Sequence, residues 1–286
     1  MKSNILQSTY IDNIKDSIVY MTNEKMHNEQ KNEMIDECKC HKNITIKARY
    51  LNDLTRAFKH SENIQYFRLS FAPNLISIQE VLNQCTNLRS IKFGNLPSLV
   101  NMTYAFAGCT SLENVTFGNL SSLKTMNYSF GGCVNLKRIT FGNMPELVSM
   151  EWTFAGCKKL KYVTTGRLTK LTSMNSTFAM CYSLDRLCID YLPCLVCLDN
   201  TFSGCVKLWN IRFSNLPNVK CMKKVFKGCR KLKYVRFGNM RKLGYVQDVF
   251  SECPSIKNIK FGYVDKSIVD KMINNVYYRP HYSFRF

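Results

Sequence analysis

Apolar positions along most of the chain recur at a fixed interval of 24 residues, a period that belongs to neither an isolated helix nor a lone strand. Phe106, Phe130, Phe154, Phe178, Phe202, Phe226 and Phe250 stand in phase, with Leu82 in the same place one period earlier. Three residues after each comes a cysteine, at Cys85, Cys109, Cys133, Cys157, Cys181, Cys205, Cys229 and Cys253. Three further on stand Leu88, Leu112, Leu136, Leu160, Leu184, Leu208, Leu232 and Ile256. A β-branched or leucine column (Ile91 to Ile259) and a mainly phenylalanine column (Phe93, Phe117, Phe141, Phe213, Phe237, Phe261) follow, the latter interrupted by Thr165 and Ile189. A Leu/Val column from Leu99 to Leu243 and a mostly Met column from Met102 to Val246 complete the apolar set.

The consensus, C-x2-L-x2-[IVL]-x-F-G-N-L-P-x-L-x2-M-x3-F-x-G-C, keeps phase through eight turns without an insertion. Counting back finds Leu54, Phe58, Ile64, Phe67, Leu69 and Leu75 in register, with Ser61 in the cysteine position. This reads as a degenerate ninth, N-terminal turn that caps the array. Within a turn, L-x2-[IV]-x-F ends in alternating spacing with β-branched residues and predicts a short strand, and the Gly-Asn and Pro after it enforce a bend. L-x2-M predicts a second extended segment, and F-x-G-C a helical or 3₁₀ corner. One turn is too small to close a core, so the pattern predicts stacking: a β-rich solenoid of about nine 24-residue turns, residues 51–264.

The residues F-x-G-C-x-x-L-x-x-[IV], followed by L-x-x-M, resemble the BspA-like (Treponema-type) leucine-rich-repeat family over about residues 51 to 264. The resemblance implies a right-handed leucine-rich-repeat solenoid with binding rather than catalysis as its activity, and for many members an adhesive or host-interacting role at the cell surface. Two departures stand out: family repeats often vary in length by a residue or two, and many members carry a secretion signal or anchor that is not evident here.

Residues 1–50 and 265–286 lie outside the repeat. The first is read as a helical or mobile cap, with an amphipathic helix in ILQSTYIDNIKDSIVYM and a helix or mobile arm in MTNEKMHNEQKNEMIDE. The second is read as a C-terminal cap, with Ile268, Val269, Met272 and Ile273 on one helical face and an extended tail YYRPHYSFRF. The N-terminus has no apolar h-region with a small-residue cleavage site, and no apolar run spans a membrane. A cytoplasmic location is expected on that ground, and a cell-surface one by the resemblance.

The recurrent cysteine raises the question of chemistry. Metal sites converge several ligands, usually at C-x2-C spacing, whereas a 24-residue ladder sets thiols side by side along an axis. Stacked turns also hold Cβ atoms about 4.8 Å apart, wider than the ~3.8 Å of a disulfide. With Ser61 substituting in the first turn, the column is read as packing. Cys38-Lys39-Cys40-His41 lacks a second ligand pair, and Cys194-x2-Cys197 and Cys188 read as local drift from Ser or Thr. His27, His41, His60 and His281 are scattered and no phosphate-binding loop occurs, so no catalytic, cofactor or metal site is expected.

Forty Lys+Arg against twenty Asp+Glu give a formal net charge of +20, which favours acidic or polyanionic partners. A protein partner is expected, with nucleic acid or an anionic membrane surface as the alternative. Outward residues beside the predicted strands form continuous columns, from which Arg138, Tyr162, Arg186, Trp209, Arg212, Tyr234, Arg236 and Lys260 are candidate partner-binding residues. Lys220, Lys223, Lys224, Lys227, Arg230, Lys231, Lys233, Arg241 and Lys242 are candidate anion-binding residues, interleaved with Tyr234, Tyr245 and Trp209, which could stack on bases.

Overall fold

The structure, a computed structural model, describes residues 16–22, 25–189, 191–274, 276 and 280–284. The repeat stacks into a parallel solenoid in which each turn contributes one rung to a sheet-like face. The nine predicted strands all form, as β3 to β9 (Tyr66–Phe71, Ser90–Phe93, Asn114–Thr116, Arg138–Thr140, Tyr162–Thr164, Arg186–Cys188, Asn210–Arg212), β11 (Tyr234–Arg236) and β13 (Asn258–Phe261). Strand pairing is in register with the sequence period, as in Val163↔Leu187 and Val235↔Ile259. Hydrogen-bonded pairing groups these nine strands as β3 to β5, β6 to β8, and β9, β11 and β13.

Both ends extend beyond the 24-residue phase. The expectation of a helical or mobile cap for residues 1–50 is corrected in part: β1 (Ser17–Thr22) and β2 (Asn43–Ala48) add two parallel rungs to the sheet. The amphipathic helix expected over ILQSTYIDNIKDSIVYM ends instead in β1, and residues 1–15 lie outside the described residues. Ile18, Val19 and Tyr20 are β-branched or aromatic residues suited to a strand, and pairing with β2 gives their backbone groups partners. A helix, α1 (Asn28–Lys39), does form between these strands and buries Met34, Ile35 and Cys38. At the far end α2 (Lys266–Ile273) buries Ile268, Val269 and Met272, its start capped by Asp265, which accepts the Ser267 N–H at 2.8 Å. β14 (His281–Phe284) then pairs in parallel with β13, covering that strand's open edge.

The second extended segment is a ladder of single bridges, Asp53↔Ser77↔Asn101↔Thr125↔Ser149↔Ser173↔Cys197↔Cys221, which ends in the paired strands β10 (Cys221–Lys223) and β12 (Tyr245–Gln247). The F-x-G-C corner forms no α-helix; its local bonds are single 3₁₀-type turns, one of the two forms expected. Tight turns such as Cys109 N–H to Phe106 O (3.2 Å) alternate with bonds to the next turn, such as Phe106 N–H to Ser129 O (2.9 Å). Left-handed residues at Tyr104 (φ 55°) and Gly108 (φ 74°) recur in phase and interrupt any helix. Glycine suits the second of these positions because it adopts positive φ without a Cβ clash.

The interior is built of in-phase ladders. Phe130, Phe154, Phe178, Phe202 and Phe226 are fully buried and stack at 5.5 to 5.6 Å between ring centroids. Each fully buried phenylalanine contributes about 1.5–3 kcal/mol over its exposed state. The cysteine column is buried, and each thiol donates to a carbonyl 27 residues earlier: Cys133 to Phe106 O at 3.1 Å, Cys157 to Phe130 O at 3.0 Å, Cys253 to Phe226 O at 3.0 Å. Beside it runs a ladder of fully buried hydroxyls, Ser129, Thr153, Thr177 and Thr201. Thr153 Oγ1, for example, lies 2.7 Å from Met150 O and 2.9 Å from Met126 O, linking one turn to the next. No buried side-chain nitrogen or oxygen among the described residues lacks a partner.

Candidate functional site

Period-two alternation sends the central residue of each rung inward and its two neighbours out, which converts sequence columns into straight surface files. Arg138, Tyr162 and Arg186 occupy equivalent positions of β6, β7 and β8 and pair in register. The Arg138 and Tyr162 side chains are exposed. Further along, Arg212, Arg236 and Lys260 hold equivalent positions of β9, β11 and β13 and are likewise paired. Trp209 lies just before β9 and meets Tyr234 edge-on, with ring centroids 6.4 Å apart and planes at 84°. Both rings stay about two-fifths exposed, at 40% and 44%.

Arg212, Arg236 and Lys260 converge on one cleft of about 250 Å³, completed by Asn215, Gly238, Asn239, Gly262 and Ser283. Its described lining contains no acidic side chain. The floor is rigid for a local reason: Asn215 Oδ1 accepts the Asn239 N–H at 2.9 Å, and Asn239 Oδ1 accepts the Tyr263 N–H at 2.8 Å. Gly238 packs so closely on the preceding turn that a Cβ there would lie 2.6 Å from the Asn215 nitrogen. Three cations on a fixed floor favour a ligand that brings several negative charges.

The nine lysines and arginines read as an anion site do not share one face. Lys220 and Lys223 flank the outer ladder at β10, while Lys224 and Lys227 sit on the corner after it. Arg230, Lys231 and Lys233 approach β11, and Arg241 and Lys242 occupy the bend beyond it. They encircle a turn because a 24-residue repeat passes once round the solenoid. Several have local roles: Lys227 pairs with Glu252 at 3.4 Å, Lys242 donates to Asn218 at 2.8 Å, and Arg241 lies 5.1 Å over the Tyr263 ring.

Sequence reading missed an aromatic stack on the corner. Tyr104, Tyr128 and Trp152, all left-handed, stack at 4.5 and 5.7 Å with planes within 12°. Tyr104 and Trp152 are 38% and 41% exposed. The signal was their common place two residues before the phenylalanine column. In the first turns the same corner carries Glu80, whose carboxylate takes Lys59 at 2.6 Å and Arg56 at 3.0 Å. Those hydrogen bonds hold its carboxyl down at about 2.

The cysteine chemistry divides by place. Burial pushes Cys85 and Cys253 up to about 12 and the thiols between them upward as well, so the ladder is protonated and inert at neutral pH. Cys38 is buried and also raised to about 12, by burial and by the Glu37 charge, whereas Cys40 is exposed and donates to Asp36 O. His41 Nδ1 is bonded to Glu37 O at 3.0 Å, so the Cys38-Cys40-His41 cluster does not converge. Cys197 belongs to the outer ladder, where earlier turns carry Asp, Ser, Asn or Thr, and its thiol faces Cys221 of the next turn. Among the described residues no helix is long and apolar enough to cross a membrane.

The BspA type leucine rich repeat region matches this sequence in six copies, over residues 31–102, 95–191 and 178–277. No curated protein sequence matches it. Among solved structures, it is similar to a leucine-rich repeat protein from Bacteroides ovatus ATCC 8483, with 15% identity over 87% of this chain and 85% of that one and a TM-score of 0.28. The pneumococcal vaccine antigen PcpA is similar at 15% identity over 86% and 79% of the two chains, with a TM-score of 0.32. TLR13, in a complex with ssRNA13, is similar at 15% identity over 94% and 46%, with a TM-score of 0.35. With the family's repeat matched across most of its length and the period realised turn by turn in the solenoid, the chain belongs to the BspA-type leucine-rich-repeat family.

Proposed function

We propose that the protein is a non-catalytic interaction scaffold that binds a protein partner, in an adhesive or host-contacting role, through the outward files of its strand face. The observation that carries this reading is the register of those files. Arg138, Tyr162 and Arg186, then Arg212, Arg236 and Lys260, stand one per rung on a backbone that the interior ladders hold fixed. Exposed Tyr162, Trp209 and Tyr234 supply rigid aromatic anchors of the kind that dominate protein interfaces. Binding needs no movement of the scaffold, so its ordering cost falls on the partner. The test is capture of partners by the full chain and by a variant carrying Tyr162→Ala, Arg186→Ala, Trp209→Ala and Arg236→Ala. The proposal expects the captured set to shrink; an unchanged set contradicts it.

A polyanion is the second reading, favoured by the cleft of Arg212, Arg236 and Lys260. Such binding weakens steeply as salt rises, because phosphate contacts release counterions. Binding of single-stranded RNA that is lost between 50 and 200 mM salt supports it, and no binding at the lower salt removes it.

A further inference from the structure

Cys197, Asp199 and Cys221 meet on the outside of the stack, away from the strand face. Their sulfur and carboxylate donor atoms all lie within 4.8 Å of one another, and all three residues are half-buried. The meeting is a product of register: Cys197 and Cys221 are bridge partners on adjacent turns, which brings their sulfurs to 2.7 Å. Asp199 is fixed rather than free to swing, since its Oδ1 accepts the Lys223 N–H at 2.7 Å. In earlier turns the same ladder is built of oxygen chemistry. Ser149 Oγ donates to Asn127 Oδ1 at 2.7 Å, and Ser173 Oγ donates to Glu151. Here two thiols replace the hydroxyls beside an acidic side chain, a change that adds affinity for a soft cation.

We propose that Cys197, Asp199 and Cys221 bind a divalent transition-metal ion of the zinc class, clamping two successive turns together, with solvent as the fourth ligand. Tetrahedral zinc takes sulfur at ~2.3 Å and carboxylate oxygen at ~2.0–2.2 Å, which sets two ligating sulfurs about 3.8 Å apart. Side-chain rotation opens the pair that far without moving the paired backbone. A bound cation holds both sulfurs deprotonated, whereas the alternative fate of the pair, a Cys197–Cys221 disulfide, leaves no thiolate to take the metal.

Cobalt(II) is the probe, added to the reduced, metal-free full chain and followed by sulfur-to-cobalt charge-transfer absorption. The expected result is saturation at one equivalent, with the band abolished in C197S/C221S. That double variant is expected to fold, because Ser77, Ser149 and Ser173 occupy the same column, and circular dichroism and thermal unfolding verify it. D199N keeps an acceptor for the Lys223 amide, as Asn175 does for Asp199, and is expected to weaken cobalt about tenfold or more. No charge-transfer band, a band that survives in C197S/C221S, or affinity untouched by D199N would each overturn the three-residue site.

Discussion

Between Asn101 and Ala155 the chain carries three basic and three acidic side chains, whereas between Val206 and Lys260 it carries fourteen basic and two acidic. Beneath that contrast the two regions are built alike. Phe106 stacks on Phe130 at 5.2 Å and Phe226 on Phe250 at 5.5 Å; Cys133 and Cys229 each donate to a carbonyl at 3.1 Å. The outer columns diverge at every level. One corner file reads Tyr104, Tyr128 and Trp152 in the first region, and Lys224 and Asp248 in the second. The strand file reads Thr116 and Thr140 in one, and Arg212, Arg236 and Lys260 in the other. Stacking constrains only what each turn presents to its neighbours, so the interior repeats while the exterior is free to specialise.

The largest effect expected is on the shared interior. Phe130→Ala and Phe226→Ala are each expected to cost about 3–5 kcal/mol in urea unfolding, from lost transfer energy and an unfilled cavity. Equal costs sharpen the comparison, and a much smaller cost at one site breaks it. Next comes the exterior. R212E/R236E/K260E is expected to weaken partner binding by at least about tenfold, or ~1.4 kcal/mol, while stability changes by no more than about 0.5 kcal/mol per site. T116E, on the matching file at β5 and outside the candidate residues, is expected to leave affinity within about twofold; titration calorimetry with the captured partner reads both.

The thiol ladder predicts a pH signature common to both regions. Folding raises the thiols from the ordinary 9.0 to about 12 at Cys85 and Cys253, so the native state holds protons that the unfolded state releases. Stability is then intact below about 9 and falls as pH rises toward 12, a trend that urea midpoints at pH 8 and 10.5 would reveal. At pH 8 a thiol-alkylating reagent should label exposed Cys40 and spare the eight ladder cysteines until the chain unfolds.

The smallest effect is at Glu80, whose carboxyl is held at about 2, below its ordinary 4.5. Its stabilisation is present above 4.5 and lost as pH falls toward 2. Because Arg56 is 65% exposed, Glu80→Gln should cost only about 1 kcal/mol or less, and should flatten the acid limb of the Tm profile.

What sequence could reveal followed from repetition. Columns that point inward are constrained in every turn, so Phe, Cys, Leu and Ile announced the strands and the core through their period alone. The hydroxyl ladder of Ser129, Thr153, Thr177 and Thr201 stayed hidden because it spans only part of the array, giving way to Ala105 on one side and Val225 on the other. β1 was hidden by phase: Ser17 pairs with Asn43 across 26 residues and Asn43 with Tyr66 across 23, so a 24-residue comb passes over both rungs. The short apolar spacing of the corner predicts a helical or 3₁₀ turn but carries no information about left-handed residues such as Trp152, which limit the local bonds to single tight turns. Cys197 was paired in sequence with Cys194, its neighbour in a C-x2-C, when its partner in space was one period away at Cys221. The basic cluster was legible as composition; its spread around the turn, and the convergence of Arg212, Arg236 and Lys260 on one cleft, depend on which way each residue faces.

The central claim, that a uniform interior displays a binding face along the outward files of β6 to β13, is tested most directly by hydrogen exchange of the full chain with and without its captured partner. The account predicts protection over residues 138–140, 162–164, 186–188, 209–215, 233–239 and 257–262, with residues 101–133 unchanged. Protection centred on residues 101–133, or none on the C-terminal rungs, would contradict it.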